Sequence, residues 1–366
     1  RAQRRDRGAC RRDETSVLIG LDPPWCVAKA HGAALATGHL KRTPEDFQVD
    51  EELAFEPAGE GEHLMVQLRK RDRTTDQIAR QLARLAGARS RNIGYCGMKD
   101  RYAVTSQWFS LPWPLKRALP DCAAWSDQLD NAECLQLVRH DRKLRRGAHA
   151  SNRFRIAIEL VTPVDAGLLQ RRIDEIGEQG VPNAFGPQRF GRQGRNLDEF
   201  ESRERPAGII LSAARSALFN RVLDARVRDG TWNRLIDGEW CMLNRSNSGF
   251  VAEAIDDELA ARAGEGDVHP SGPLPGRAAD GPVGEAQARE VDALSEAGAW
   301  IDKLATLRVD GARRPLRVIP DGLCILQHDT GSLTLSFGLP PGSFATAVVA
   351  ECIDTDEYLH QSSSSS

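Results

Sequence analysis

Asp100 stands between two cations in the run Gly94-Tyr95-Cys96-Gly97-Met98-Lys99-Asp100-Arg101-Tyr102-Ala103-Val104-Thr105-Ser106-Gln107-Trp108-Phe109. Two glycines allow the backbone to bend before a strand-like stretch begins. Opposite charge nearby favours the ionised carboxylate and draws its pKa below the usual value of about 3.9. An ionised carboxylate where a loop enters a strand can act as a nucleophile or a base. The same pattern describes a turn or capping aspartate with exposed flanking cations, and spacing alone favours that plainer reading.

Other motifs fail on inspection. Gly94 to Lys99 is one residue short of a P-loop, and Asp100 replaces the hydroxyl residue that would bind magnesium. The run Gly186 to Arg192 has the P-loop spacing but Arg in place of Lys. Ser343 lies outside any GxSxG elbow. The carboxylates Glu45, Asp46, Asp50, Glu51 and Glu52 could form a glycosidase-type pair. Alternation sets Phe47 and Val49 opposite Gln48 and Asp50, so an edge strand with one wet face is expected. Asp354-Thr355-Asp356 reads as a fraying end. The 8 cysteines, at 10, 26, 96, 122, 134, 241, 324 and 352, form no CxxC pair. They are expected to be reduced core residues of a cytoplasmic protein. No histidine spacing suits a metal, and none is expected.

The chain has 366 residues, 40% hydrophobic and 28% charged, with 32 Gly, 19 Pro and a net charge of −3. This is a globular composition of two or three domains, without an apolar run of the roughly 18 residues a membrane helix needs. The net charge hides segregation. Residues 251–300 hold eleven acids against three bases, a local net of −8 that leaves +5 elsewhere. Two basic tracts stand out: Arg69-Lys70-Arg71-Asp72-Arg73, and Arg139, Arg142, Lys143, Arg145, Arg146, Arg153 and Arg155 against Asp141. The second leads into an aromatic-bearing strand, and together they point to a polyanionic partner.

Period-two alternation marks strands through Leu64, Val66 and Leu68, through Phe154, Ile156, Ile158 and Leu160, and through Leu333, Leu335 and Phe337. Helical spacing joins Ile78, Leu82 and Leu85, with Thr74 or Thr75 as cap and Gly87 as stop. A second helix passes through Leu218, Phe219, Val222 and Leu223 and ends by Gly230. Residues 264–284, rich in Gly and Pro, read as a surface loop. The Arg-rich residues 1–29 read as a disordered extension and 356–366 as a tail, with ordered structure beginning near Ala30. Strands, then helices and loops, then strands again suggest a sheet domain interrupted by an insertion.

Four blocks in this order resemble the TruD family of tRNA pseudouridine synthases. They are Lys41-Arg42-Thr43-Pro44-Glu45-Asp46-Phe47-Gln48-Val49-Asp50-Glu51, and Gly97 to Gln107. Asn152-Arg153-Phe154 joins Val181-Pro182-Asn183-Ala184-Phe185-Gly186-Pro187-Gln188-Arg189-Phe190-Gly191 as the third, and Leu339 to Thr346 is the fourth. The likeness spans about residues 30–355. It departs at Ala184, where many members carry Tyr, and between Pro320 and Leu333, which is short for the family.

The resemblance implies an α+β fold. A pseudouridine-synthase core with a mixed, largely antiparallel sheet flanked by helices would carry an inserted α/β TRUD domain, giving a V-shaped molecule of two lobes. The catalytic domain would comprise 30–179 and 319–355, and the insertion 180–318. The implied reaction is isomerisation of a uridine in tRNA, typically nucleotide 13, by a cytoplasmic monomer without cofactor or metal. Asp100 matches the catalytic aspartate, acting as nucleophile at the sugar or through a glycal. Lys41 matches a basic residue near that carboxylate, or is a surface lysine. Phe154 matches an aromatic that stacks on the extruded base, although its alternation with Ile156 and Ile158, taken alone, favours core. Asn152, Lys99, Gln188 and Arg189 are implied in substrate binding, with bracing as the plainer role for the last two. The rival is a non-catalytic tRNA-binding or chaperone protein on the same scaffold. The presence of Asp100, Lys99 and Asn152 weighs against it, since binding alone needs no carboxylate amid phosphates.

Overall fold

The computed structural model describes residues 23–277 and 280–355. The segment 1–22 and the tail 356–366, including Cys10 and Asp356, lie outside the described residues. The chain forms two compact units, each assembled from separate stretches. The first combines residues up to Ala33 with Glu178–Ile319 and Ser343–Glu351; the second combines Ala34–Gly177, Pro320–Gly342 and residues from Cys352.

The second unit is built on a ten-stranded mixed sheet. Its strands are β1 (Ala36–Leu40), β2 (Phe47–Leu53), β3 (His63–Arg71), β4 (Gly94–Tyr95), β5 (Val104–Pro112), β6 (Ala132–His140), β7 (His149–Leu160), β8 (Asp321–His328), β9 (Ser332–Leu339) and β10 (Ile353–Thr355). The main path runs β8-β9-β7-β2-β5-β3-β6, with β1 joining β7 and β10, and β4 joining β5. Only β2–β5 and β1–β10 are parallel among these pairings. The three strands expected from alternation all form, in β3, β7 and β9.

Helix α1 (Thr75–Ala86) has the expected ends. Thr74 and Gln77 exchange backbone and side-chain bonds as a capping box, and Gly87 closes the helix at φ 66°. Its apolar stripe, Ile78, Leu82 and the alanines between, packs on Leu64, Val66, Leu68, Phe109 and Leu111. Met65 and Trp108, pointing the other way, pack with Cys96 and Leu144. The sheet is therefore dry on both faces along β5 and the first part of β3.

Three sequence expectations change here. Strand β2 is not an edge strand: it pairs with β7 on one side and β5 on the other. Alternation reports which face is dry, and says nothing of how many neighbours the backbone finds. The supposed fraying end at Ile353–Thr355 is a strand in parallel register with Ala36–Gly38. Cys122 and Cys134 are not separate thiols but a disulfide, because the chain reverses after the short helix Cys122–Ser126 and brings their Cα atoms to 5.3 Å.

In the first unit, helix α2 (Ile209–Arg228) is apolar on most sides and therefore central. Ala213, Ala217, Leu218, Phe219 and Leu223 are buried among Phe190, Phe200, Trp232 and Trp300. Packing begins before Ala30, contrary to expectation: Trp25 lies 5.7 Å from the Phe190 ring, and Asn220 donates to the Pro24 carbonyl. The 264–284 stretch is not a surface loop throughout. It supplies strands at Val268–His269 and Ser271–Leu274, and Val268 and Ser271 are fully buried. Polar pairing replaces apolar burial there, as Ser271 Oγ donates to Trp240 O and accepts from Arg313. Apolar periodicity cannot report such a segment.

Candidate active site

The run Gly97–Arg101 is a loop between β4 and β5, fastened from several sides. Gln107 on β5 donates to Gly97 O at 2.6 Å and accepts from Thr75 Oγ1, which in turn accepts from Lys99 N. Beneath the loop, Lys70 on β3 donates to Asp100 O at 3.2 Å. Gly94 is required for close approach: a Cβ there would meet Leu144 O and Ser110 Oγ at 2.5 Å each. The basic segment after β6 thus lies against the strand that leads to Asp100.

The Asp100 carboxylate, 35% exposed, is bound at Oδ2 by the Lys41 ammonium at 3.0 Å. Lys41 is 11% exposed and sits 4.2 Å above the Phe47 ring. Its backbone has φ 56°, a left-handed conformation that side chains rarely adopt. The sequence neighbours of Asp100 turn elsewhere, against expectation. Arg101 pairs with Asp72 at 3.0 Å, while Lys99 reaches inward to Glu51 at 2.5 Å and to Asn152 Oδ1 at 2.7 Å. Successive residues of an extended loop point to opposite sides, so adjacency in sequence does not make Lys99 the partner of Asp100. Met98 and Tyr102 flank the loop on the exposed side.

Lys99 and Glu51 form a buried pair, 6% and 0% exposed at their side chains. The other Glu51 oxygen accepts from Trp108 N. Asn152 Nδ2 approaches His149 Nε2 at 3.2 Å. Burial, then the Lys99 charge, pushes His149 down to about 4, so the ring is neutral near pH 7 and Nε2 can accept from the amide. The Asn152 amide is thereby oriented at both ends. Burial, reinforced by Glu51, pushes the Cys96 thiol up to about 12. Glu51, Cys96 and His149 lie close enough together to hold a cation; the positive charge resting on Glu51 is the Lys99 ammonium.

Phe154 is buried, 7% exposed, stacked on Phe337 at 5.5 Å and edge-on to Phe47 at 6.0 Å. Asp100, Lys41, Phe47 and Phe154 therefore form a chain of successive contacts. Gln188 and Arg189 belong to the other unit. Gln188 is exposed, and Arg189 donates to Ser212 Oγ at 3.1 Å and lies over Phe185 and Phe344.

The basic tracts are less available than their composition suggests. Lys70 is buried, and Arg69, Arg71 and Arg73 pair with Glu133, Glu45 and Asp130. Arg139 donates to the carbonyls of Gly61, Trp113, Leu115 and Arg117. Lys143, Arg145 and Arg146 remain exposed, with Lys143 donating to Arg91 O and Arg146 lying over Tyr95. The carboxylates considered for a glycosidase do not converge: Glu45 binds Arg71, Glu51 binds Lys99, and Glu52 binds Arg153 across the sheet's other face. Sequence reasoning missed Glu51, His149 and Lys70 as parts of the site. The first and last were legible as in-phase continuations of Phe47–Val49 and of Leu64–Leu68.

Comparison with known proteins identifies the family. The sequence model of the family tRNA pseudouridine synthase D (TruD) matches residues 29–197 and 207–352. The tRNA pseudouridine synthase D of Methylococcus capsulatus is 42% identical over 337 residues, covering 90% of this chain and 94% of the relative. That of Xanthomonas campestris pv. campestris is 41% identical over 361 residues, covering 92% and 97%. A solved TruD structure from Methanosarcina mazei superposes with a TM-score of 0.65 at 22% identity, covering 90% of this chain and 96% of that one. That likeness shows the fold: mixed α+β with a large mixed sheet. The chain belongs to the TruD family of tRNA pseudouridine synthases. Its activity is that family's, an isomerase reaction on uridine in tRNA.

Proposed function

We propose that this chain isomerises uridine 13 of tRNA, with Asp100 as the group that acts at the sugar. The observation that carries this reading is the Asp100 carboxylate, accessible at a loop mouth and held by a lysine 59 residues earlier in the chain. The N1–C1′ bond breaks, the uracil turns while held, and C5 bonds to C1′. The C5 proton leaves and N1 is protonated, so the reaction balances without redox change. Asp100 serves either by attack at C1′ or by proton abstraction towards a glycal; both expel uracil from the same carbon.

The uridine must leave its stack, at a cost of a few kcal/mol. In this reading Asn152, oriented by Lys99 and His149, hydrogen-bonds the extruded nucleoside through its remaining amide N–H. Phe154, the least buried of the three rings it forms with Phe47 and Phe337, is the one whose edge a base meets to recover part of that energy. Gln188 and Arg189, within the proposed inserted domain 180–318, serve RNA binding. The protein is proposed to work as a cytoplasmic monomer; among the described residues no helix is long and apolar enough to cross a membrane.

The test is carbodiimide mapping of tRNA after incubation with the protein. A new reverse-transcription stop reporting position 13 is expected, and tRNA bound but unmodified at every uridine would favour a binding module. A second expectation concerns the exposed cations. Changing Lys143, Arg145 and Arg146 together to Ala is expected to flatten the plot of log affinity against log salt by about 2 to 3. An unchanged slope in a filter-binding titration removes these residues from the RNA contact.

A further inference from the structure

Among the described residues Lys70 heads the largest fully buried side chains, at 1% exposure, on a strand paired on both sides. On β3 it faces Thr105 of β5 and Ala132 of β6. By alternation it continues the dry face of Leu64, Val66 and Leu68. A leucine or methionine would fill such a place without desolvating a charge. Its ammonium instead donates to two main-chain carbonyls, Arg73 O at 2.7 Å and Asp100 O at 3.2 Å. The ionised groups it feels are Asp100, which favours its charge, and Lys99, which opposes it. Asp100 is thus gripped twice, at the carboxylate by Lys41 and at the carbonyl by Lys70.

We infer that Lys70 is a positioning residue for the isomerisation: its buried ammonium fixes the main chain at Asp100 and supplies a second positive charge behind the carboxylate. This rests on the reading that Asp100 acts at the sugar. A preorganised charge aimed at a reacting carboxylate acts strongly in a water-poor site. The ammonium is also the labile part of the device. Burial, which outweighs Asp100, brings Lys70 down to about 8. Below that pH the charge is present and the loop is held; above it the charge is lost and only weaker bonds to the carbonyls remain.

The experiment is the single-turnover rate of tritium release from tRNA labelled at uridine C5, followed between about pH 6 and 9. Wild type is compared with Lys70→Met and Lys70→Arg, and tRNA affinity and thermal midpoint are recorded for each. The wild-type rate is expected to be level below about pH 7 and to fall up to tenfold per pH unit above 8. Lys70→Met is expected to be roughly 10- to 100-fold slower at pH 7, to bind tRNA normally, and to lack that fall. Lys70→Arg, which keeps its charge, is expected to move the fall out of the range. Ionisation of uracil itself acts on all three alike and subtracts out.

A Lys70→Met protein at the wild-type rate, or slower with the same alkaline fall, overturns the proposal. So does a wild-type profile level to pH 9, which needs no variant to fold. Either result leaves the reading of Asp100 standing. Failure of that reading shows differently, as a wild type inactive at every pH or an Asp100→Asn protein that keeps its rate.

Discussion

Asp100→Asn is expected to form pseudouridine at least roughly 10⁴-fold more slowly than wild type, the scale on which loss of a nucleophile acts, while binding tRNA with the same affinity. The substitution keeps size, shape and one hydrogen-bond acceptor, so Lys41 retains a partner at 3.0 Å and the loop keeps its other fastenings. What it removes is the negative charge and the basic oxygen pair. An amide neither attacks C1′ usefully nor abstracts a proton near neutral pH. Carbodiimide mapping and filter binding on the same preparation separate the two effects. Full activity in the variant rejects the assignment. Equal loss of activity and affinity assigns Asp100 to binding instead.

The second large effect concerns stability. Glu51→Gln is expected to lower folding free energy by about 3 kcal/mol, because it leaves Lys99 a buried, uncompensated cation. Both oxygens of Glu51 accept a hydrogen bond, from the Lys99 ammonium and from Trp108 N. A carboxylate satisfies both; an amide has a single acceptor oxygen and must turn its NH₂ towards one of them. For a chain of 366 residues that loss corresponds to a thermal midpoint roughly 4 °C lower. Removing the pair together, as Glu51→Leu with Lys99→Met, is expected to recover much of the stability but not the activity, since Asn152 loses the contact that orients it. A midpoint within about 2 °C of wild type for Glu51→Gln shows that the pair is not fully withdrawn from water.

The contrast between these two residues shows what a sequence can carry. Asp100 is legible because its block is contiguous and matches a family pattern. Its partner is not: Lys41 is far away along the chain, and the adjacent Lys99 and Arg101 look like the natural candidates until the loop's direction is known. Glu51 and Lys70 sit in phase with buried neighbours, yet charged residues discourage reading them as buried. The strands and helix α1 follow from apolar spacing and caps. The central place of β2 does not, since pairing is settled by β5 and β7, roughly fifty and a hundred residues later. The same holds for the strands at 268–274, which are buried through polar contacts, and for the Cys122–Cys134 bond, which depends on a turn.

The twisted main chain at Lys41 has a consequence for how this protein can change. Glycine would occupy that left-handed position without the roughly 1 kcal/mol penalty an ordinary side chain incurs. On backbone grounds alone position 41 favours glycine, and glycine there strips the aspartate of its counter-ion. Robustness and catalysis compete at a single residue.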